Sequence, residues 1–203
     1  MARSDFADSV FINCPFDREY SPLFEALVFC IIDCGFVPRC GLEEPDSGEA
    51  RIRRIQSLIR TSQYSIHDLS RVELTPDLPR FNMPFELGLD LGCRTFGQAT
   101  FRRKRSLILD SDRYRYQRFP SDIAAQDICP HSNSPDELIT QVRNWLRGAS
   151  KRADIPGPRK IKERFARLSM VIPAYCDRLG LERTDIQFAE YVTMVEEWLR
   201  SAR

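Results

Sequence analysis

The segment that decides the fold is Ser9-Val10-Phe11-Ile12-Asn13-Cys14-Pro15-Phe16-Asp17. Its first part, Ser9–Asn13, is short and rich in β-branched and aromatic residues, which is typical of a buried strand. Proline cannot donate a backbone hydrogen bond to a neighbouring strand, so Pro15 marks the end of the strand. The sequence therefore predicts a buried first strand that is followed by a turn over residues 14–17.

Helix-like and strand-like patterns alternate along the chain after this strand. Apolar residues spaced three and four apart predict four helices, over residues 19–34, 49–61, 82–95 and 134–148. Asn82 is expected to cap the third helix and Gly148 to end the fourth. Short apolar runs predict further strands at residues 35–40, 64–69, 105–110 and 127–129. A helical turn is expected at residues 121–125. Such alternation is typical of an α/β fold with a mostly parallel five-stranded sheet and helices on both faces.

The chain divides into an α/β domain, residues 1–150, and a C-terminal helical extension, residues 151–203. Proline and glycine at residues 154–158 are typical of a linker. Two helical patterns follow it, and they are too short to bury a core of their own. We therefore expect the extension to pack on the α/β domain or on a second copy of the chain. A homodimer is the expectation from the apolar face formed by Phe188, Tyr191, Val195, Trp198 and Leu199.

Composition excludes several classes of protein. Hydrophobic residues make up 42% of the chain and the net charge is +1, which favours a folded core and argues against a protein that coats nucleic acid. Seven cysteines without a Cys-x-x-Cys pair, beside two histidines, do not have the spacing of a zinc site, so we expect no metal and reduced, buried thiols. No apolar run resembles a signal peptide or a membrane span, and we expect a cytoplasmic protein without membrane association.

Parallel sheets bind ligands beyond the carboxyl ends of their strands, which directs attention to the residues just after each strand. Glu86 follows such a loop, in the first turn of a predicted helix, among apolar and amide neighbours. Asp68 ends the preceding strand, so two carboxylates are expected to face one cleft. Paired carboxylates are the usual means of cleaving a glycosidic bond, because one stabilises or attacks the sugar while the other moves protons. The alternative is that Glu86 has only a structural role, in which its negative charge interacts favourably with the helix dipole.

The turn after the first strand has two interpretations. It is either a simple strand-to-helix connection, or a site in which Phe16 stacks on a base and Asn13 or Asp17 binds a sugar hydroxyl. Cys14 as a nucleophile is disfavoured because no histidine is placed to activate it. His67 points away from its neighbour Asp68, since alternate strand residues face opposite sides, and is expected in the core. The arginines at 51, 53, 54 and 60 and the run Arg102-Arg103-Lys104-Arg105 are expected on solvated faces, although one of these residues could bind a phosphate.

Three segments together resemble the clan that joins nucleoside 2-deoxyribosyltransferases and Toll/interleukin-receptor-like (TIR-like) domains. They are Val10–Asp17, then Ile66-His67-Asp68-Leu69-Ser70-Arg71, then Asn82-Met83-Pro84-Phe85-Glu86-Leu87-Gly88-Leu89. The resemblance covers residues 8–147 and implies a flavodoxin-like sheet. It also implies that Glu86 is the catalytic glutamate, which attacks or stabilises C1′ of a ribosyl group, and that Asp68 is the accompanying aspartate.

The resemblance implies chemistry at an N-glycosidic bond. In the TIR-like branch the substrate is NAD and the leaving group is nicotinamide, and many bacterial members are thought to act in antiphage defence. We expect NAD to be a substrate and not a cofactor. Nucleoside 2-deoxyribosyl transfer and a non-catalytic, nucleotide-sensing or scaffold module are the alternatives. The expected substrate-binding residues are Asn13, Cys14, Pro15, Phe16, Asp17, Ser70, Arg71, Asn82 and Met83.

Overall fold

The structure, a computed structural model, describes residues 6–43, 48–72, 80–112 and 127–202. Five parallel strands form one sheet in the order β2-β1-β3-β4-β5. This order is the flavodoxin-like one, and it confirms the predicted α/β class. The strands are β1 Ser9–Asn13, β2 Val37–Cys40, β3 Tyr64–Asp68, β4 Arg105–Asp110 and β5 Ile128–Pro130.

Helices connect the strands and continue beyond the last one. Their bounds are α1 Ser21–Asp33, α2 Arg51–Thr61, α3 Asn82–Phe96, α4 Pro135–Ser150, α5 Pro158–Leu179 and α6 Phe188–Ser201. Two predicted helix ends are wrong. Phe81 is the cap of α3 and no side chain accepts a hydrogen bond there, and α4 continues past Gly148 until Lys151 turns into the left-handed region at φ 60°. The predicted turn at 121–125 lies outside the described residues.

Strand β1 lies in the middle of the sheet and is buried over its whole length. Its side chains alternate between two cores, as strand geometry requires. Val10 and Ile12 pack in the core shared with α1 and α4, whereas Phe11 packs against Ile55 and Ile59 of α2 on the other face. Helices therefore cover both faces of the sheet, and its two layers of side chains hold the carboxyl ends of β1 and β3 in place.

The C-terminal extension packs on the α/β domain of the same chain. Helix α5 lies against α4 and α1, and α6 lies against α1. Arg164 of α5 donates to Asp33 at the end of α1 over 2.8 Å, and both side chains are buried. Phe188, Tyr191 and Val195 are buried within the chain. The apolar face that suggested a homodimer thus packs within the chain, which was the alternative expectation, and the homodimer stays a prediction.

Two expectations from the composition concern membrane spans and cysteine pairing, and both can be examined in the described residues. No helix there combines the length and the apolar character that crossing a membrane would require. All seven cysteines are free, and Cys14, Cys30, Cys34, Cys40 and Cys176 are buried.

Candidate functional site

The strand order reverses between β1 and β3, because the chain adds β2 on one side of β1 and all later strands on the other. Ligands of open parallel sheets bind at such a switch point, beyond the carboxyl ends of the strands. A cavity of 330 Å³ lies there, and we call it the first cavity. It is lined by Cys14, Pro15, Phe16, Asp17, Arg51, Arg80, Asn82 and Met83.

Two guanidinium groups give the first cavity its charge. Arg51 is the first residue of α2, and its side chain makes no hydrogen bond or ion pair with the described residues. Arg80 approaches from the loop before α3 and donates to Asp17 Oδ2 over 2.8 Å. A free arginine beside the uncapped N-terminus of a helix favours an anion, since both contribute N–H donors and positive charge.

Asp17 is held between two arginines. Arg71 Nε lies 3.2 Å from the Asp17 Oδ2 atom that also accepts from Arg80, and the backbone N–H of Tyr20 donates to Asp17 Oδ1. Burial would raise the pKa of Asp17, but these hydrogen bonds and charges outweigh it and lower that pKa. Asp17 therefore has a structural role in the wall of the cavity. Arg71 does not line the cavity itself, but it contacts Asp17, which does.

Glu86 lies one turn into α3, on the side of the helix that also carries Asn82 and Met83. Its side chain is 6% exposed, and it has no hydrogen bond among the residues that the structure describes. Burial raises the pKa of Glu86 to about 7, against the lowering effect of the Arg51 charge. A carboxyl group that is buried, without a hydrogen bond and poised near neutrality is a candidate for catalysis.

Neither Glu86 nor Asp68 lines the first cavity, contrary to the expectation of two carboxylates in one cleft, and Asp68 does not reach the surface. It is fully buried at the end of β3, where Tyr20 donates its hydroxyl to Asp68 Oδ2 over 2.5 Å. His131 Nε2 lies 3.0 Å from the same oxygen, and the N–H of Ser70 donates to Asp68 Oδ1. Burial would raise the pKa of Asp68, but these partners lower it. The carboxylate is already fully engaged within the protein.

A second buried network lies on the α3 face of the sheet. His67 Nε2 is 3.2 Å from Asp90 Oδ2, and Lys104 Nζ is 3.0 Å from Asp90 Oδ1. The amide of Asn13 donates both to His67 Nδ1 and to the carbonyl of Met83, each over 2.9 Å. Because the Met83 carbonyl can only accept, the amide nitrogen of Asn13 must face it. Asn13 therefore joins β1 and β3 to the first turn of α3, and so fixes the helix that carries Glu86.

Two further predicted residues are buried close to the site. Burial raises the pKa of the Cys14 thiol well above its usual value, and the negative charges of Asp68 and Glu86 raise it further. The thiol is thus neutral at physiological pH, which argues against Cys14 as a nucleophile. Ser70 is buried too, and its hydroxyl has no partner among the described residues.

The structure thus brings together most of the predicted substrate-binding residues and separates others. The turn Cys14–Asp17 and the start of α3 line the first cavity, whereas four buried residues are not part of its lining: Asn13, Asp68, Ser70 and Glu86. Sequence reasoning missed Arg80 altogether. It assigned Arg51 to a solvated face, and the structure has Arg51 exposed, at the rim of the cavity lining. It also assigned Lys104 to a solvated face, which is wrong, because Lys104 is fully buried. It also missed Asp90, although its position four residues after Glu86 places both on one helix face.

The described residues contain no group of three or more histidine, cysteine or acidic side chains that is arranged to hold a metal ion. No protein-family model matches the sequence, and a search of curated proteins finds no significant match.

Proposed function

We propose that this chain cleaves the N-glycosidic bond of NAD or a related nucleotide, with Glu86 as the nucleophile or the stabiliser of the oxocarbenium-like sugar. The observation that carries the proposal is the Glu86 carboxyl group, which is buried without a hydrogen bond beside the first cavity, with a pKa of about 7. As carbon–nitrogen cleavage proceeds, positive charge develops on the ribosyl C1′ atom. An adjacent carboxylate in a site of low polarity lowers the energy of that charge.

The geometry favours NAD over a neutral nucleoside. In NAD the leaving nicotinamide carries a positive ring charge, so the electron pair of the broken bond leaves it neutral and no proton needs to be supplied. A neutral nucleoside base is a poor leaving group unless an acid protonates it. Asp68, the second carboxylate, is ionised and engaged with Tyr20 and His131, so it is not free to act as that acid.

The cationic lining supports a substrate that carries phosphate. Arg51 and Arg80 both line the first cavity, and planar guanidinium groups bind phosphate oxygens in pairs. Water then completes the reaction: NAD and water give nicotinamide, ADP-ribose and a proton. Ionised Glu86 holds the sugar cation, or bonds to it, until water adds to C1′.

Incubation of the purified chain with NAD tests the proposal, with products separated by chromatography. Release of nicotinamide together with ADP-ribose or a cyclic ADP-ribose supports it. Base exchange between deoxynucleosides without NAD cleavage would instead identify a nucleoside 2-deoxyribosyltransferase. Thermal stabilisation by nucleotides without any turnover would identify a nucleotide-sensing or scaffold module.

The pH dependence of cleavage should report the ionisation of Glu86. Because the carboxylate is the active form, kcat/KM should rise about tenfold per pH unit below pH 7 and level off above it. Arg51 favours the carboxylate, so Arg51→Gln should move the midpoint upward, by up to about one unit. A pH–rate profile of both proteins measures this shift. Arg53→Gln, on the exposed side of α2, is the matched control and should leave the midpoint in place.

A further inference from the structure

A second cavity of 320 Å³ lies between the α/β domain and the C-terminal extension. Its volume is within the range of ~300–1,000 Å³ that is usual for small-molecule sites. The α/β domain contributes Pro15, Phe16, Asp17 and Leu42, and the extension contributes Ile186 and Phe188 among others. The extension thus does more than cover α1, because it completes a concave site.

The two cavities share one wall. Pro15, Phe16 and Asp17 line both of them, so the second cavity begins where the first one ends. Phe16 is 38% exposed, so part of its ring is accessible from both cavities. A ligand that passes over this wall can occupy both cavities at once.

The lining of the second cavity suits a flat, uncharged ring. Phe16 and Phe24 meet edge to face with centroids 5.4 Å apart, and Phe188 follows at 6.0 Å from Phe24. Aromatic side chains of this kind stack on nucleic-acid bases. Three charged groups on the wall already have partners, since Glu25 and Arg183 pair with each other and Asp17 pairs with Arg80. This leaves Arg18, exposed at the mouth, to meet a phosphate.

We infer that the second cavity binds the adenosine half of a dinucleotide whose other nucleoside lies beside Glu86. The cationic groups Arg51 and Arg80 then face the diphosphate between the two halves. The assignment of the adenosine half to this cavity rests on the proposed cleavage of NAD. It gives the C-terminal extension a direct part in selecting a dinucleotide over a mononucleotide.

The test is calorimetric binding of AMP and of nicotinamide mononucleotide to the full chain. Ile186→Trp fills the second cavity from the extension, and Leu42→Trp fills it from the α/β side, where Leu42 is 44% exposed and tolerant of change. Each variant should weaken AMP binding at least tenfold and change nicotinamide mononucleotide binding less than twofold. Val171→Trp, on an exposed face of α5 away from both cavities, is the matched control and should bind AMP as the unchanged chain does.

Kinetics separate a failure of this inference from a failure of the proposed function. If the chain cleaves NAD, the two tryptophan variants should raise KM with kcat unchanged, because they remove binding distant from the reacting atoms. Cleavage with an unaltered KM in both variants would overturn the inference and leave the proposed function standing. Weakened AMP binding without NAD cleavage would keep the second cavity and overturn the proposed chemistry. Absence of AMP binding to the unchanged chain would overturn the inference directly.

Discussion

Glu86→Gln is expected to lower NAD cleavage by at least about 10³-fold and, in the same protein, to stabilise the fold above pH 7. The loss of activity has a direct cause. Glutamine has the shape of glutamate but cannot ionise, so it neither attacks C1′ nor balances the positive charge that develops on the sugar. Initial rates with NAD at pH 8 measure this effect, at a pH where Glu86 is largely ionised.

The gain in stability follows from the raised pKa of Glu86, about 7 in the folded chain against an ordinary value of 4.5. The folded state binds the proton more tightly than the unfolded state, so stability falls as pH rises between these two values. Above pH 7 the folded chain carries a buried charge without a hydrogen bond, at a cost of roughly 1–3 kcal/mol. Glutamine removes that cost. The difference in Tm between variant and unchanged chain should therefore be largest near pH 8 and small near pH 4.

Glu137→Gln is the matched control for both measurements. Glu137 also lies in the first turn of a helix, but it is exposed at the start of α4. Its replacement should leave cleavage unchanged and shift the free energy of unfolding by less than about 0.5 kcal/mol. If Glu86→Gln retained cleavage, or lost stability at pH 8 as much as at pH 4, Glu86 would be a structural residue and not the reacting group.

The fold was largely predictable because its signals are local. Strands β1 and β4 have the predicted bounds, and the alternation of strands with helices was enough to predict a parallel sheet. The helix ends were less predictable. Asn82 had the right residue type for a cap, yet it is the first residue of the helix, and Phe81 with helical backbone angles takes the cap position. Helix α4 continues through Gly148 and ends at the cap residue Lys151, because a glycine inside a helix costs only about 1 kcal/mol.

The site was only partly predictable because it depends on contacts between distant residues. Glu86 was found from its place after a loop at the ligand edge. The contacts of Asp68 with Tyr20 and His131 could not be predicted, because two further strands separate His131 from Asp68 in the sequence. Arg51 begins a helix with an arginine-rich outer face, and nothing in that pattern separates the one arginine at the cavity from its neighbours. The pairing of Asp90 with Lys104 likewise arises only when α3 docks on the sheet.

That buried pair gives the largest expected effect on stability. Lys104→Met should lower the free energy of unfolding by about 3–5 kcal/mol, because it leaves the Asp90 carboxylate buried without its cation. Both side chains are 0% exposed, and Lys104 Nζ also donates to the carbonyls of Ile59 and Ser62 over 2.8 and 2.5 Å. For a chain of this size the Tm should fall by roughly 10 °C. Thermal unfolding at pH 7 measures it.

A double variant distinguishes an unpaired charge from a simple packing defect. Asp90→Asn removes the negative charge, so the combination with Lys104→Met should recover a large part of the loss. Acid should also help the single variant, since protonation of Asp90 relieves the same charge. Because the pKa of Asp90 in the unchanged chain lies well below its ordinary value, the deficit should shrink as pH falls below about 4. Lys160→Met, on the exposed face of α5, is the control and should be nearly neutral. A deficit in Lys104→Met that neither Asp90→Asn nor acid reduces would mean that shape, and not charge, makes Lys104 necessary.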